Sequence, residues 1–338
     1  MKRYLLRRIG QAVFVLWAAF TLSFLILYLL PGDAVSAKLG ASEAGLSATP
    51  EQLAAARAEY GLDEPIPVQY GRRLLSALHG DFGRSIATGD DATHMVVTAL
   101  PPTLAVTGLA LVFAVAFGAG SAILGTYTRL RWLRQFLLSL PSLGISLPTF
   151  WVGLLLIQFF SFKLRWLPAL GTQGFASLIL PALTLALFNG AIIGQILAKS
   201  LSTQQEEPYA EIAAAKGASR WRVHFGHVLR NALAPALTIT GVVAGNMIAS
   251  AVITETVFSR DGVGRITAAA VTAQDIPVVQ AVIVLSALAF VALNLLVDLL
   301  YPLLDPRIAQ PKSVKATLRD SESVNVAFTD NLTEVRRG

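Results

Sequence analysis

The sequence predicts an all-α membrane protein with six transmembrane helices and a small extracytoplasmic helical insertion after the first helix. Three observations predict this fold class. Hydrophobic residues make up 54% of the 338 residues and charged residues only 14%, whereas soluble domains carry about 25% charged residues. The apolar residues form uninterrupted runs of roughly 20 residues, which is the length that crosses a bilayer as a helix. Glycine and proline within these runs are compatible with membrane helices, because neighbouring helices satisfy the freed backbone groups.

The first predicted span covers residues 9–30 and follows a short basic segment. Its apolar run exceeds the roughly 7 to 15 residues of a cleavable signal core, so we expect an uncleaved membrane anchor. The other five predicted spans are 100–127, 135–160, 176–198, 235–257 and 279–304.

The positive charges indicate how the spans are oriented. When residue 1 is placed in the cytoplasm, two thirds of the 27 Lys and Arg residues fall on cytoplasmic segments, as the positive-inside rule requires. The net charge of +6 therefore reflects membrane topology, and nothing in it predicts nucleic-acid binding. We expect a multi-pass protein of the cytoplasmic (inner) membrane with both termini in the cytoplasm.

Four regions follow from the predicted spans. Residues 1–30 hold the first helix, and residues 31–99 form the extracytoplasmic insertion, with predicted helices at 50–60 and 68–78. Residues 100–305 form a five-helix core that contains a cytoplasmic loop at 199–234. Residues 306–338 are polar and of mixed charge, which predicts a disordered cytoplasmic tail.

The loop at 199–234 contains a short alanine-rich helix that is too short to cross a bilayer. Glu207 and Pro208 start it, and Gly217 is placed to end it in a left-handed conformation. Ser219 is placed to cap a second helix that leads into the next span. One face of the short helix carries residues at helical spacing, namely Tyr209, Ile212, Ala213 and Lys216.

Two functions of this short helix are compatible with its pattern. Periodicity alone fits a re-entry helix on the membrane surface. The small side chains, with acidic and basic residues around them, favour docking into a groove of another protein. The candidate docking residues are Glu207, Tyr209, Glu211, Ile212, Ala213, Ala214, Lys216, Gly217, Arg220 and Arg222.

The stretch EIAAAKG, from Glu211 to Gly217, resembles the EAA motif of permease subunits of bacterial ABC importers. Ile212 replaces the first alanine of the motif, and Pro235 comes later than the corresponding proline. The longer stretch AAAKGASRWRVHFGHVLRNALAPALT is similar to the dipeptide, oligopeptide and nickel permease family. Further stretches agree in the same order along about 300 residues, among them RYLLRRIGQAVFVLWAAFTLSFLILYLLPGD, SLPTFWVGLLLI, ITETVFSRDGVGR and LVDLLYPLLDPR.

This resemblance implies a type I importer permease that moves di- or oligopeptides inward. It implies four kinds of partner: a second homologous permease subunit, two ATP-binding subunits, an extracytoplasmic solute-binding protein and the peptide. The chain has no Gly-Lys dipeptide and so no phosphate-binding loop of the G-x-x-x-x-G-K-[ST] type. We therefore expect no enzyme activity and no cofactor in this chain, with ATP and Mg held by partner subunits. Nickel, glutathione or haem are alternative cargoes, and an ion-gradient-driven secondary transporter is the alternative class.

Polar residues within the apolar runs are candidates for the translocation path, because burying them in lipid is costly. They are Asn189, Gln195, Asn246 and Glu255. The alternatives are hydrogen bonds between helices for the two asparagines and an ion pair with Arg260 for Glu255. Asp298 is expected to be a structural partner of a cytoplasmic base.

No metal site or catalytic group is predicted. Cysteine is absent, so thiol nucleophiles and zinc-thiolate sites are excluded. His224 and His227 share a helix face, but no paired carboxylate in the sequence completes a ligand set around them.

Overall fold

The computed structural model describes residues 2–29 and 64–304. The predicted helix at 50–60 and the predicted tail at 306–338 lie outside the described residues. The described residues up to Leu295 form one compact unit, and Leu296 begins a second. Within the described ranges the regular structure is helical, with an isolated antiparallel bridge between Arg84 and Asp91, so the all-α prediction is confirmed for that part of the chain.

Ten α-helices are described, and two of them adjoin a π-helical segment. The π-helical segment Ile157–Lys163 extends α5, and the segment Arg222–Val228 leads into α8. The helices are α1 (Lys2–Leu29), α2 (Ile66–Leu78), α3 (Ala92–Tyr127), α4 (Arg131–Ser146), α5 (Thr149–Leu156), α6 (Ala176–Gln205), α7 (Pro208–Ala215), α8 (Leu229–Val257), α9 (Val263–Thr272) and α10 (Ile276–Leu304).

Four of the described helices are long and apolar enough to cross a membrane: Arg8–Ile26 in α1, α3, α6 and the continuous helix Arg222–Val257. These match the first, second, fourth and fifth predicted spans. Helix α3 begins well before residue 100, because the Asp91 side chain caps it by accepting a hydrogen bond from the backbone N–H of His94 at 2.7 Å.

The third predicted span, 135–160, is wrong as a continuous helix. Helix α4 and the helix that runs from Thr149 to Lys163 meet at an angle of 106°. The break lies at Leu147, whose φ of −93° and ψ of 129° are extended. Proline disfavours the helical region for the residue before it, and Pro148 follows Leu147. Pro141 lies inside α4 without breaking it.

The region after α8 also differs from the sequence prediction. A further helix, α9, lies between the fifth and sixth predicted spans, where the sequence predicts no helix. Helix α10 contains the sixth predicted span and begins at Ile276, three residues before the predicted start. The sharp connection between α9 and α10 includes Gln274 with a φ of +54°.

Helices α3 and α6 pack together through small residues. A Cβ atom placed on Gly118 would collide with the carbonyl oxygen of Gly190, and one placed on Gly194 would lie 3.1 Å from the carbonyl oxygen of Gly118. A Cβ atom on Gly190 would lie 2.8 Å from the carbonyl oxygen of Ala114. The four-residue spacing of Ala114 and Gly118 therefore permits a close approach of the two backbones.

The second predicted helix of the insertion is observed as α2 and packs on α1. The Tyr70 ring lies 5.3 Å from the ring of Phe24 and 5.8 Å from that of Phe20, measured between centroids. Its hydroxyl is 2.9 Å from the hydroxyl of Thr21. Gly80, which follows α2, has a φ of +80°, so the chain turns where the sequence places the end of the helix.

Candidate coupling site

The short helix predicted in the loop at 199–234 is α7, and its first turn is formed as expected. Glu207 is the N-cap residue, with an extended φ of −72° and ψ of 142°, and Pro208 occupies the first helical position. Proline is favoured there, because its fixed φ suits the helix and its missing N–H would have no partner in the first turn.

The other end of α7 is a Schellman motif. The N–H of Ala218 donates to the carbonyl of Ala213 at 3.1 Å, and the N–H of Gly217 donates to that of Ala214 at 2.9 Å. Gly217 has a φ of +83°, a region that costs a residue with a Cβ atom roughly 1–2 kcal/mol. The predicted left-handed end at Gly217 is confirmed, and it fixes the direction in which the chain leaves the helix.

One side of α7 packs against the ends of the long helices. Ala210 is buried in a cluster with Leu197 and Leu201 of α6, with Val228 of the π-helical segment and with Ala232 of α8. Tyr209 packs against the same cluster, and its hydroxyl donates to the side-chain oxygen of Gln204 at 2.8 Å. This contact anchors α7 to two long helices at once.

The other side of α7 is open. The side chain of Ile212 is 54% exposed, Ala213 is half-buried, and four more of the candidate docking residues of α7 and its end are exposed: Glu211, Ala214, Lys216 and Gly217. Glu207, Arg220 and Arg222 are exposed beside the helix. Apart from Tyr209, which packs on the closed side of α7, the candidate residues therefore form a surface of small side chains with acidic groups near the start of α7 and basic groups beyond its end.

Arg220 connects the segment after α7 to the end of α3. Its guanidinium donates a hydrogen bond to the backbone carbonyl of Tyr127 and lies 4.8 Å from the centroid of the Tyr127 ring. Tyr127 is the last residue of α3, whose final carbonyls have no partner within the helix. The arginine therefore satisfies one of these carbonyls and places a positive charge at the negative end of the helix dipole.

Aromatic rings surround this contact. The rings of Trp221 and Phe225 lie 3.8 Å apart, and that of Tyr127 lies 6.0 Å from Trp221 and 5.7 Å from Phe225. The His224 ring is 5.3 Å from Tyr127, and its Nδ1 is 3.0 Å from the side-chain nitrogen of Gln205. Because Gln205 ends α6, three segments of the chain meet here. Ser219 begins the second helix as predicted, with its hydroxyl 3.4 Å from the N–H of Arg222.

The four candidate path residues have different surroundings. Asn189 of α6 is buried and donates to the carbonyl of Leu185 in its own helix at 2.8 Å. Gln195 of α6 and Asn246 of α8 are exposed. Glu255, near the end of α8, is fully buried.

The Glu255 carboxylate is held by two donors. The Thr103 hydroxyl donates to Oε1 at 2.6 Å, and the backbone N–H of Gly264 donates to Oε2 at 2.7 Å. The Thr103 hydroxyl also accepts from the N–H of Val263 at 2.9 Å. A Cβ atom on Gly262 would collide with this carboxylate, so the glycines of the stretch DGVGR provide the room that the carboxylate occupies.

Arg260 takes hydrogen-bond partners other than the Glu255 carboxylate. Its Nη1 donates to the carbonyl of Gly171 at 2.9 Å, to the carbonyl of Ser177 at 2.9 Å and to the Ser177 hydroxyl at 3.1 Å. Burial lowers the pKa of the Arg260 guanidinium, and the Glu255 and Asp261 carboxylates oppose that shift. Asp298, which the sequence predicts to be a structural partner of a cytoplasmic base, is not among the residues whose side chains the structure describes.

Several residues of these sites were missed by sequence reasoning. No local sequence pattern marks Tyr127, Ala210 or Gln205, because the role of each comes from a contact with another helix. Asp275 is a further example: it is buried and accepts hydrogen bonds from the Ser85 hydroxyl and, at 3.1 Å, from the N–H of Ile86. The aromatic spacing of Trp221 and Phe225, four residues apart, could have predicted their stacking on one helix face.

Two family models match this chain. Residues 114–310 match the binding-protein-dependent transport system inner membrane component, and residues 1–107 match the N-terminal part of the membrane component of such systems.

Curated relatives cover nearly the whole chain. A probable peptide ABC transporter permease protein of Sinorhizobium fredii is 38% identical over 313 residues, which are 90% of this chain and 98% of the relative. A putative peptide transport system permease protein of Brucella suis is 34% identical, with 91% of this chain and 99% of the relative covered. The glutathione transport system permease protein GsiC of Salmonella paratyphi A is 35% identical over the same shares of the two chains, 91% and 99%.

Proposed function

Because this chain belongs to the family of inner membrane components of binding-protein-dependent transport systems, we propose that it is the permease subunit of an ATP-driven importer of di- or oligopeptides. The observation that carries this proposal is α7, an eight-residue helix of small side chains with one side open and the other side packed on α6 and α8. An exposed helix that is packed in this way can transmit the movement of a bound partner. When the partner displaces α7, the displacement passes to α6 and α8.

The proposed complex contains two homologous permease subunits, two ATP-binding subunits and an extracytoplasmic solute-binding protein. ATP and Mg are held by the ATP-binding subunits, since this chain has no Gly-Lys dipeptide and so no phosphate-binding loop of that type. This chain supplies half of the translocation path and catalyses no reaction itself.

The proposed topology has six spans with both termini in the cytoplasm. The bent pair α4 and Thr149–Lys163 is the third span, and α10 is the sixth. Helix α7 then lies on the cytoplasmic side, and α2, the loop after it and α9 lie on the extracytoplasmic side. The distribution of Lys and Arg supports this orientation.

Coupling is proposed to run through two sets of contacts, those of Ala210 in α7 and that of Arg220 after α7. When the ATP-binding subunits close, they move α7, and the Ala210 contacts transmit the displacement to α6 and α8. Arg220 transmits it to α3 through Tyr127. A rigid helix with two favoured positions would bias the spans between inward-open and outward-open states.

Asn189, Gln195, Asn246 and Glu255 remain proposals as contacts of the passing peptide. Gln195 and Asn246 are supported by their exposure on the apolar helices α6 and α8, where a polar amide needs a polar partner. For Asn189 and Glu255, which are buried, contact with a peptide requires a rearrangement that opens the surrounding packing.

Reconstitution tests the proposed function. Vesicles that contain the whole complex, the binding protein and internal ATP are expected to take up labelled dialanine and trialanine. Glutathione is tested in the same vesicles, because one relative carries that substrate in its name. Peptide uptake by the permease subunits alone under an imposed proton or sodium gradient would instead support a secondary transporter and overturn the proposal.

A further inference from the structure

A cavity of about 270 Å³ lies between α2, the loop after α2 and the start of α10. Three arginines, two carboxylates and two amides are among its lining residues: Arg72, Arg73, Arg84, Glu64, Asp81, Gln69 and Gln280. This cavity is separate from α7 and from the path residues proposed above, and no function described so far uses it.

Gln280 places an unpartnered donor at this cavity. The residue is 2% exposed, and its side-chain nitrogen has no hydrogen-bond partner among the described residues. A buried donor without a partner is costly, and most such groups in folded proteins have one. An acceptor that entered the cavity beside Gln280 would supply the partner that this buried amide nitrogen lacks.

The charges of the lining favour an anion. Arg72 forms an ion pair with Glu64 at 2.5 Å, and Asp81 accepts from the N–H of Gly83 at 2.8 Å. Both carboxylates of the lining are therefore engaged within the protein. The Arg84 side chain is exposed and forms no ion pair with the described residues. With three arginines and two carboxylates, the lining keeps an excess of positive charge.

We propose that this cavity binds the carboxyl terminus of a short peptide before the peptide enters the translocation path. A guanidinium presents a planar pair of donors that matches a carboxylate, and the Gln280 amide adds a neutral donor. The volume is slightly below the roughly 300–1,000 Å³ of pockets that enclose a whole ligand, which suits the end of a chain whose remaining residues extend through the opening.

This inference rests on the proposed function, because it takes a peptide as cargo and this face as extracytoplasmic. Binding is therefore measured without ATP and without the solute-binding protein, on the whole permease complex in nanodiscs. The probes are trialanine and trialanine amide, which differ only in the terminal carboxylate. ATP-driven uptake is measured separately in vesicles, so that loss of the site and loss of transport are distinguished.

Trialanine is expected to bind, and trialanine amide to bind at least about tenfold more weakly, because the neutral amide has neither the negative charge nor the two equivalent oxygens that pair with a guanidinium. The variants Arg84→Gln and Gln280→Leu are each expected to weaken trialanine binding by about tenfold. Arg84 is exposed, so its variant should fold even if Gln280→Leu does not. Arg265→Gln is the matched control, since Arg265 is an exposed arginine that pairs with Asp261 and lies outside the cavity.

Equal affinity for the two peptides would overturn the proposal, as would equal affinity of Arg84→Gln and Arg265→Gln for trialanine. If Arg84→Gln left peptide binding unchanged and weakened docking of the solute-binding protein, the cavity would bind a carboxylate of that protein, and the peptide site would be wrong. If the wild-type complex showed no ATP-driven uptake but still bound trialanine, the proposed function would fail while the site remained.

Discussion

The guanidinium of Arg220 donates to the backbone carbonyl of Tyr127 and lies 4.8 Å from the centroid of its ring. The two residues are 93 positions apart in the sequence. The contact joins the end of α3 to the segment that follows the exposed helix α7, so this side chain helps to hold together two elements that must move together in the proposed mechanism.

The variant Arg220→Ala is therefore expected to uncouple the importer. Loss of a charged hydrogen bond and a cation–π contact costs about 1–3 kcal/mol, which would let the end of α3 separate from the α7 segment. We expect peptide-stimulated ATP hydrolysis and uptake to fall at least severalfold, and association of the ATP-binding subunits is measured alongside because Arg220 is also a candidate docking residue. Arg230→Ala is the control, because Arg230 is an exposed arginine at the start of α8. Equal hydrolysis and uptake in the two variants would refute the role of Arg220.

A second prediction concerns the end of α7. Gly217 has a φ of +83°, which proline cannot adopt because its ring fixes φ near −65°. Gly217→Pro should redirect the chain after α7 and abolish peptide-stimulated ATP hydrolysis, while the protein still reaches the membrane. Glu211→Lys should have the same effect by reversing a charge on the open side of α7.

Gly226→Ala is the control for Gly217. Gly226 is helical, and a Cβ atom there would meet only the Arg222 side chain, at 3.9 Å. The control should retain stimulated hydrolysis, which is measured on the purified complex in vesicles. Normal stimulation in both Gly217→Pro and Glu211→Lys would show that α7 does not transmit the movement.

Local features such as α7 were predictable because their signals lie in adjacent residues. Proline at the first helical position and glycine after the last act through their own backbone angles, which neighbouring elements seldom override. The predicted family is confirmed for the same reason: its motifs are short continuous stretches that the sequence displays directly.

The bend at Pro148 was not predictable from the same kind of signal. Pro141, Pro181 and Pro235 lie inside helices without breaking them, whereas Pro148 marks the sharp break between α4 and α5. Proline removes the same donor at each position, so the packing around it decides whether the helix continues. The Thr103–Glu255 hydrogen bond spans 152 positions, and no local pattern specifies such a pair.

The α3–α6 contact gives a third prediction. A leucine at position 118 would collide with the Gly190 carbonyl, since even a Cβ atom does so. Overpacking of this kind typically costs about 1–3 kcal/mol, and backbone atoms on both sides leave little room for relief. Gly118→Leu should lower the midpoint of thermal unfolding in detergent and reduce the yield of assembled complex.

Gly120→Leu provides the comparison for Gly118, because a Cβ atom on Gly120 meets no atom within 4 Å. It lies on the same helix two residues away, so the change in helix propensity and hydrophobicity is the same. Similar unfolding midpoints for the two variants would mean that the close approach of α3 and α6 does not limit the stability of the protein.

The last prediction separates a structural role of Glu255 from a role in transport. The Thr103 hydroxyl donates to Oε1 of Glu255 and accepts from the N–H of Val263, so Thr103→Val removes a hydrogen bond from each of these two buried groups. Each such loss costs about 1–3 kcal/mol. The control is Thr107→Val, because the Thr107 hydroxyl bonds only to carbonyls of its own helix, those of Thr103 at 2.9 Å and Leu104 at 3.3 Å.

If Glu255 only fixes the start of α9, Thr103→Val should lower the unfolding midpoint relative to Thr107→Val and leave the KM for peptide uptake unchanged in the complex that survives. Glu255→Gln should then be tolerated in uptake, because the amide oxygen can still accept from one of the two donors. A rise in KM with an unchanged unfolding midpoint in Glu255→Gln would instead place the carboxylate on the translocation path, since a contact made only with the passing peptide adds nothing to the stability of the empty protein.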